Sequence, residues 1–301
     1  TLLGSGRWGA LPVDWLERFG PLLERLIDAR DERTGAVERT ALPALAELGR
    51  EAGAELPEAL ERLAADLFGE EAQETPDLPD DFAGELRAYQ LRGVRWIGAI
   101  RDAGLGGLLA DDMGLGKTVQ VLASIRGRTL VVAPTSVLGG WVEQARRFRP
   151  SLTVNRYHGA GRRFDRSADL TVTSYTILRL ERELLLAQPW ELVVLDEAQT
   201  IKNPFSQIAR VAHELGGAAR LALTGTPIEN RLTDLWSEFR FLNPGLLGDQ
   251  DRFEDRYAGD RGLERLRHTV RPFMLRRLKR EVAHELPPRT EVVRSCELGT
   301  E

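Results

Sequence analysis

The sequence contains very little cysteine, no long apolar run and no recognisable leader segment. Cys296 is the single cysteine among 301 residues, which excludes an intramolecular disulfide framework and a cysteine-rich zinc module and suits a reducing cytosol. No stretch approaches the about 18 uninterrupted apolar residues of a membrane-spanning helix. The first residues lack a basic start, a long apolar run and an initiator Met, so we expect no secretory signal here and a piece of a longer protein. We therefore expect a cytoplasmic protein without a membrane partner.

Charge divides the chain into two unequal parts. Residues 1–85 contain 8 Arg or Lys and 20 Asp or Glu, whereas residues 86–301 contain 33 basic and 26 acidic residues. The net positive charge of residues 86–301 suits a polyanion partner, and the net negative charge of residues 1–85 does not. A hydrophobic content of 42% excludes wholesale disorder. The four histidines show no metal-ligand spacing, so the sequence predicts no structural metal site.

The front of the chain has helical periodicity. Apolar residues recur at helical spacing over residues 13–27, and leucines mark two further helices over residues 42–67. Residues 68–82 are acidic and include two prolines, which is typical of a linker. We predict an acidic helical segment with its linker over residues 1–80.

Beyond this linker, short apolar runs alternate with helical stretches. The runs that we predict to be buried strands are 105–110, 129–133, 170–173, 192–195 and 220–223. The helices predicted after them cover 119–125, 137–148, 177–186 and 207–215. This alternation predicts an α/β fold with a parallel sheet covered by helices on both faces. The strand signal fades from about Leu232, so we predict a lobe over 81–235 and a helical region over 236–301.

A glycine-rich loop lies between the first predicted strand and a predicted helix. It reads Asp111-Asp112-Met113-Gly114-Leu115-Gly116-Lys117-Thr118. In such a loop the backbone N–H groups and the helix N-terminus bind phosphates, Lys117 bridges the β- and γ-phosphates, and the Thr118 hydroxyl holds Mg²⁺. The strict pattern has glycine where Asp111 stands, so the generic motif is only partly met. The alternative interpretation is a glycine-rich turn that caps a helix.

A buried strand that ends in two acids follows about 80 residues later. Asp196 and Glu197 close the apolar run of residues 192–195. The carboxyl ends of parallel strands are where α/β proteins hold their ligands, so Asp196 is placed to reach Mg²⁺ and Glu197 to orient or deprotonate a water. The alternative is an ordinary strand end with solvated acids.

A third loop, residues 223–230, also follows a predicted strand. Its Thr224 and Thr226 are candidates for sensing the γ-phosphate and linking it to a polymer track. Thr226 followed by Pro227 equally fits a plain helix N-cap, and the residues alone leave both interpretations open.

In this order, the three loops resemble the motifs of the Swi/Snf-like ATPases of helicase superfamily 2. The phosphate loop of that family carries Asp where the generic motif has glycine, as Asp111 does here. The family more often has His where Gln199 stands, so this position departs from the family pattern. Further segments that resemble family motifs are 86–90 with Gly93, Val94 and Trp96, 134–138 with Trp141, 173–175, 201–204, 235–244, 272–279 and 286–289. The match spans about residues 84–291.

This resemblance implies a role for each matching residue. The catalytic residues are Lys117 and Glu197, and the Mg²⁺ ligands are Thr118 and Asp196. The nucleotide-binding residues are Gln90 (at the adenine), Asp112, Met113, Gly114, Leu115, Gly116, Lys117 and Thr118. The coupling residues are Gln199, Thr224, Gly225 and Thr226, and the DNA-contacting residues are Thr135, Ser136, Thr173, Ser174, Tyr175, Lys202 and Asn203.

The resemblance also implies a fold and an activity. It implies a RecA-like P-loop NTPase lobe, preceded by a small helical segment and followed by a helical, family-specific insert. Relatives bind ATP with Mg²⁺ between two such lobes and track along double-stranded DNA, acting on protein complexes bound there. The second lobe carries arginine fingers, and only ten residues follow Glu291. We therefore expect an ATP-binding half that hydrolyses ATP slowly until a second RecA-like lobe completes it.

Two other functions stay open, and so does the role of three basic runs. A strand-separating DNA or RNA helicase could use the same lobe, and a non-catalytic nucleic-acid interaction module could carry an inactive nucleotide site. The basic runs are 146–149, 162–166 and 276–280, and each fits either phosphate contacts or a solvated face. For the acidic front, one hypothesis is an inhibitory cover that competes with DNA.

Overall fold

The computed structural model describes residues 36–69, 75–225 and 232–282, together with single positions between residues 15 and 29. Seven strands of this part of the chain form one sheet. They are β1 (Gly106–Leu109), β2 (Thr129–Ala133), β3 (Val154–Tyr157), β4 (Leu170–Ser174), β5 (Leu192–Asp196), β6 (Ala219–Leu223) and β7 (Met274–Leu275). Every adjacent pair is parallel, and the spatial order is β3-β4-β2-β5-β6-β1-β7.

The helices precede, separate and follow these strands. They are α1 (Leu42–Glu51), α2 (Glu58–Phe68), α3 (Ala88–Asp102), α4 (Lys117–Ser124), α5 (Leu138–Phe148), α6 (Tyr175–Leu180), α7 (Arg182–Leu186), α8 (Gln207–Glu214), α9 (Leu232–Leu242), α10 (Gln250–Arg256), α11 (Gly259–Val270) and α12 (Lys279–Val282). Helices α3, α4 and α5 form one contiguous layer on the sheet, and α6, α8 and α9 form another. The central strands are buried between the two layers, as their continuous apolar runs require.

The five predicted strands and the α/β class with a parallel sheet are confirmed. Each strand agrees with its prediction to within one residue at either end. Strands β3 and β7 were not predicted. Strand β3 lies at the edge of the sheet and buries only Tyr157 fully, so its sequence lacks a continuous apolar run. Strand β7 has two residues and follows a helical stretch. Two residues are too few to show the alternation of a strand in the sequence.

Other predictions differ in detail. The helix predicted over 177–186 is two helices, α6 and α7, and α6 begins earlier because the Ser174 hydroxyl accepts a hydrogen bond from the backbone N–H of Ile177. Helices α1 and α2 confirm the two leucine-marked helices of the front. The helix predicted over 13–27 lies largely outside the described residues. The residue limits of the three predicted regions stay a prediction.

The described part of the acidic front approaches the amino end of β1 and the middle of α3. Arg39 places its guanidinium against Gly104, two residues before β1, and Asp66 of α2 approaches Arg95 of α3 at 3.8 Å. The phosphate loop follows the opposite, carboxyl end of β1. The inhibitory-cover hypothesis for the acidic front stays a prediction. Among the helices that the structure describes, none combines the length and apolar character that a bilayer crossing needs.

Candidate nucleotide site

The phosphate loop connects β1 to α4 at the carboxyl edge of the sheet. Gly114 and Gly116 adopt φ angles of 85° and 76°, in the left-handed region that favours glycine. This conformation bends the chain so that Lys117 and Thr118 form the first turn of α4. The four free N–H groups of that turn and the helix dipole favour an anion here.

Lys117 is folded back over its own loop. Its Nζ donates to the backbone carbonyl of Asp111 at 2.7 Å. Burial lowers the pKa of Lys117, while the carboxylates of Asp111, Glu197 and Asp196 act in the opposite direction. The ammonium group therefore lies close to the loop and to Asp196 and Glu197. A bound nucleotide would place its negatively charged phosphates beside this ammonium group.

The far end of the loop is fastened to α3 and α4. The Leu115 carbonyl accepts hydrogen bonds from the Tyr89 hydroxyl at 3.2 Å, the Gln90 side-chain amide at 3.2 Å and the Gln120 amide at 3.4 Å. Gln90 also caps α3, because its Oε1 accepts from the Arg87 N–H at 2.9 Å. The structure thus places Gln90 beside the phosphate loop, and its contact with adenine stays a prediction.

The acid pair stands at the end of β5, facing the loop. The Asp196 carboxylate accepts from the Trp141 indole N–H at 2.7 Å and from the Glu197 backbone N–H at 3.0 Å. Its backbone carbonyl accepts from the Tyr175 hydroxyl at 2.8 Å. Burial raises the pKa of Asp196, and the Trp141 hydrogen bond opposes that rise. Neutral donors therefore fix the direction of this carboxylate without neutralising it.

Glu197 has an unusual backbone. Its φ of 51° and ψ of 56° make it the one non-glycine residue with positive φ among those described. Such a conformation costs about 1–3 kcal/mol and concentrates at functional sites. The strained turn directs the carboxylate to Gln199, whose Nε2 donates to Glu197 Oε2 at 2.7 Å.

Gln199 connects the acid pair to the third loop. Its Oε1 accepts from the Thr224 hydroxyl at 3.1 Å, so a side-chain path runs from Glu197 through Gln199 to Thr224. Gly225 lies against the phosphate loop, since a Cβ there would approach Met113 Cγ to 2.9 Å and Lys117 Nζ to 3.9 Å. The structure brings these predicted coupling residues together, and Thr226 lies outside the described residues.

The residues predicted to contact DNA fall into two groups. Thr135, Ser136, Lys202 and Asn203 are exposed, and their role stays a prediction. By contrast, Thr173, Ser174 and Tyr175 are buried to 4% exposure or less.

The side chains of the three buried residues make internal contacts in this structure, and their contact with DNA stays a prediction. The Thr173 hydroxyl donates to the Tyr157 carbonyl at 2.8 Å, Ser174 caps α6, and Tyr175 holds the Asp196 carbonyl. Since β4 is an interior strand between β2 and β3, these groups support neighbouring elements of the lobe.

Three more residues take roles that the sequence did not indicate. Trp141, which belongs to one of the segments that resemble family motifs, is buried and donates its indole N–H to Asp196. Arg149, read as part of a basic run, is buried, with its Nε 2.8 Å from Asp81 Oδ1. Arg277, from another basic run, is buried in an ion pair with Asp111. No local signal identifies these pairs, because their partners lie 55 to 166 positions away.

Comparison with known proteins agrees with this geometry. A model of the SNF2-related domain matches residues 89–301. YwqA of Bacillus subtilis is 41% identical over 235 residues, which cover 70% of this chain and 26% of YwqA. The human "SWI/SNF-related matrix-associated actin-dependent regulator of chromatin subfamily A member 1" is 37% identical over 233 residues, covering 69% of this chain and 22% of that protein. The chain thus spans about a quarter of the length of these curated relatives.

A solved structure matches the fold as well. The Sulfolobus solfataricus SWI2/SNF2 ATPase core in complex with dsDNA superposes with a TM-score of 0.66 at 36% identity, covering 71% of this chain and 49% of that one. The chain belongs to the SNF2-related domain family. It contains an ATPase domain of that family with a RecA-like fold, which confirms the resemblance drawn from its motifs.

Proposed function

We propose that this chain is the ATP-binding half of an ATP-driven translocase on double-stranded DNA. The observation that carries the proposal is the convergence of Lys117, Asp196, Glu197 and the Gln199–Thr224 pair at one edge of the sheet. A phosphate loop facing a carboxylate pair is the arrangement that phosphoryl transfer to water needs. Hydrolysis yields ADP and phosphate.

Each residue at this edge has a role in binding. The N–H groups at the start of α4 and the Lys117 ammonium bind the β- and γ-phosphates. The Thr118 hydroxyl and the Asp196 carboxylate are the hard oxygen donors that Mg²⁺ prefers, and both lie partly exposed at this edge. Mg²⁺ bound there would neutralise charge that develops on the phosphate oxygens.

The acid pair and its neighbours supply the chemistry and its coupling. The Glu197 carboxylate, held by Gln199, orients the attacking water and takes its proton. The connection from Gln199 to Thr224 links this carboxylate to the loop after β6. A conformational change at Glu197 or at Thr224 is thereby transmitted through the Glu197–Gln199 and Gln199–Thr224 hydrogen bonds.

A second RecA-like lobe completes the site in this proposal. An arginine finger contributes about 10³–10⁵ to turnover in related NTPases, so this chain alone would hydrolyse ATP slowly. The solved SWI2/SNF2 ATPase core is matched over only 49% of its length, which supports a larger catalytic unit.

Duplex DNA is the proposed track. The solved relative is a complex with dsDNA, and the exposed Thr135, Ser136, Lys202 and Asn203 follow strands or strand-end turns at the carboxyl edge. Their hydroxyl, amide and ammonium groups suit phosphate contacts, which read no sequence. Such a motor would act on protein complexes on DNA, in the cytoplasm of a bacterial cell.

ATP turnover tests the proposal. Phosphate release is measured with duplex DNA, single-stranded DNA or RNA, for this chain and for the chain extended by a second ATPase lobe, with Glu197→Gln as background. We expect turnover in the extended protein only, with duplex DNA as the strongest activator. Stronger activation by single strands or RNA would favour a helicase, and no turnover in either protein would favour an interaction module.

A further inference from the structure

Arg277 lies just after β7, at the end of the helical insert, and turns its side chain inward. It is 5% exposed, and its guanidinium makes a two-point ion pair with the fully buried Asp111, with Nε 2.9 Å from Oδ1. The same guanidinium donates to the Gln120 Oε1 at 2.7 Å and to the Tyr89 carbonyl, and it stacks over the Tyr89 ring at 5.3 Å. Its donors therefore reach the phosphate loop, α4 and α3 at once.

The backbone around Arg277 follows the start of the loop. The Ala110 N–H donates to the Leu275 carbonyl at 2.7 Å, and the Asp112 N–H donates to the Arg277 carbonyl at 3.1 Å. Asp112 Oδ2 in turn accepts from the Lys279 N–H at 2.8 Å. Residues 275–279 thus run alongside residues 110–112 and continue the pairing of β7 with β1.

Gly93 of α3 makes room for this cluster. A Cβ on Gly93 would lie 1.8 Å from Gln120 Oε1 and 2.9 Å from the Arg277 guanidinium. Glycine has no advantage in the middle of a helix, so its presence here is explained by the close approach of the two side chains. The cluster also accounts for Asp111, which stands where the generic phosphate loop has glycine.

We propose that Arg277 is a positioning residue for nucleotide binding, which holds the phosphate loop in its binding conformation by clamping Asp111. The guanidinium neutralises a carboxylate that would otherwise repel phosphates, and its fork fixes the direction of that carboxylate. Through Arg277, the segment after the helical insert sets the geometry of the ATP site. This inference rests on the proposed function, since it presupposes that the loop binds ATP.

The test compares neighbouring arginines in the 301-residue chain. Arg277→Lys keeps the buried charge but loses the two-point fork, and Arg277→Met removes the charge. Arg276→Lys and Arg276→Met are matched controls, because Arg276 is exposed. The Kd for ATP with Mg²⁺ is measured by calorimetric titration, and thermal unfolding and circular dichroism report the folded fraction at the titration temperature.

We expect the Kd for ATP to rise by about 10- to 100-fold in both Arg277 variants while the folded fraction stays that of the wild type, and to stay unchanged in the controls. If Arg277→Met does not fold, the comparison of Arg277→Lys with Arg276→Lys decides. A folded Arg277→Lys that binds ATP within a factor of about two of Arg276→Lys would overturn the proposal. Failure of the folded wild-type chain to bind ATP would instead remove the proposed function.

Discussion

The two sides of the nucleotide site are fixed by different kinds of interaction. On the phosphate-loop side, a buried ion pair neutralises Asp111 and backbone pairing holds the neighbouring residues. On the acid side, the donors to Asp196 and Glu197 are neutral: an indole, a backbone amide and a side-chain amide. Asp111 is thus paired with a buried cation, whereas these hydrogen bonds to Asp196 and Glu197 come from neutral groups. In the function proposed above, the first side binds the phosphates and the second acts on water.

Glu197→Gln gives the largest expected effect and separates the two sides. The amide can still accept from Gln199 but cannot take a proton, so turnover with duplex DNA should fall by about 10²–10⁴-fold while the Kd for ATP stays within about threefold. Phosphate release is measured on the chain joined to a second ATPase lobe, and Kd by titration. A parallel loss of binding would mean that the acid side also binds the nucleotide.

Lys117→Ala changes the other side. Removing a partly buried ammonium from the phosphates should raise the Kd for ATP by about 10- to 100-fold. Arg252→Ala, which removes an exposed cation from α10, is the control. If both variants bind ATP as the wild type does, the loop is a helix-capping turn and not a phosphate site.

Trp141→Phe removes one N–H group from the acid side. Asp196 would lose a donor that lowers its pKa, so the acid limb of Mg²⁺-dependent ATP binding should move to higher pH. The affinity for Mg²⁺ should fall by about tenfold at neutral pH. Titrations at several pH values measure both changes.

Trp190→Phe is the matched control for this prediction, because its indole donates to the Leu185 carbonyl at 2.9 Å, outside the acid pair. An equal shift in both variants would contradict a specific role for Trp141.

The smallest expected effect concerns the two loops matched to DNA contacts. The double variant Thr135→Ala with Ser136→Ala should weaken duplex DNA binding by about three- to tenfold. Thr173→Val keeps the side-chain shape and removes the buried hydroxyl, so it should leave DNA affinity unchanged and cost about 1 kcal/mol of unfolding free energy. Fluorescence anisotropy and denaturant unfolding measure the two quantities. The reverse pattern would favour Thr173 as a contact residue.

The sequence predicts which residues lie at the same edge of the sheet better than it predicts the contacts that hold those residues in place. Because carboxyl ends of parallel strands meet at one edge, the order of strands and loops is enough to place Lys117 near Asp196 and Glu197. Local sequence does not predict that Arg277 meets Asp111, since this needs β7 to pair with β1 across the whole lobe. The burial of Thr173 depends in the same way on β4 being an interior strand. For Thr173 and Arg277, the local sequence therefore indicates surface residues, although the long-range topology buries both side chains.

Calorimetric titration of the 301-residue chain with ATP, with Mg²⁺ or with excess EDTA, tests the central claim most directly. The account predicts saturable binding at one site that EDTA weakens and that Lys117→Ala reduces. A folded chain that shows no ATP binding in the presence of Mg²⁺ would contradict it.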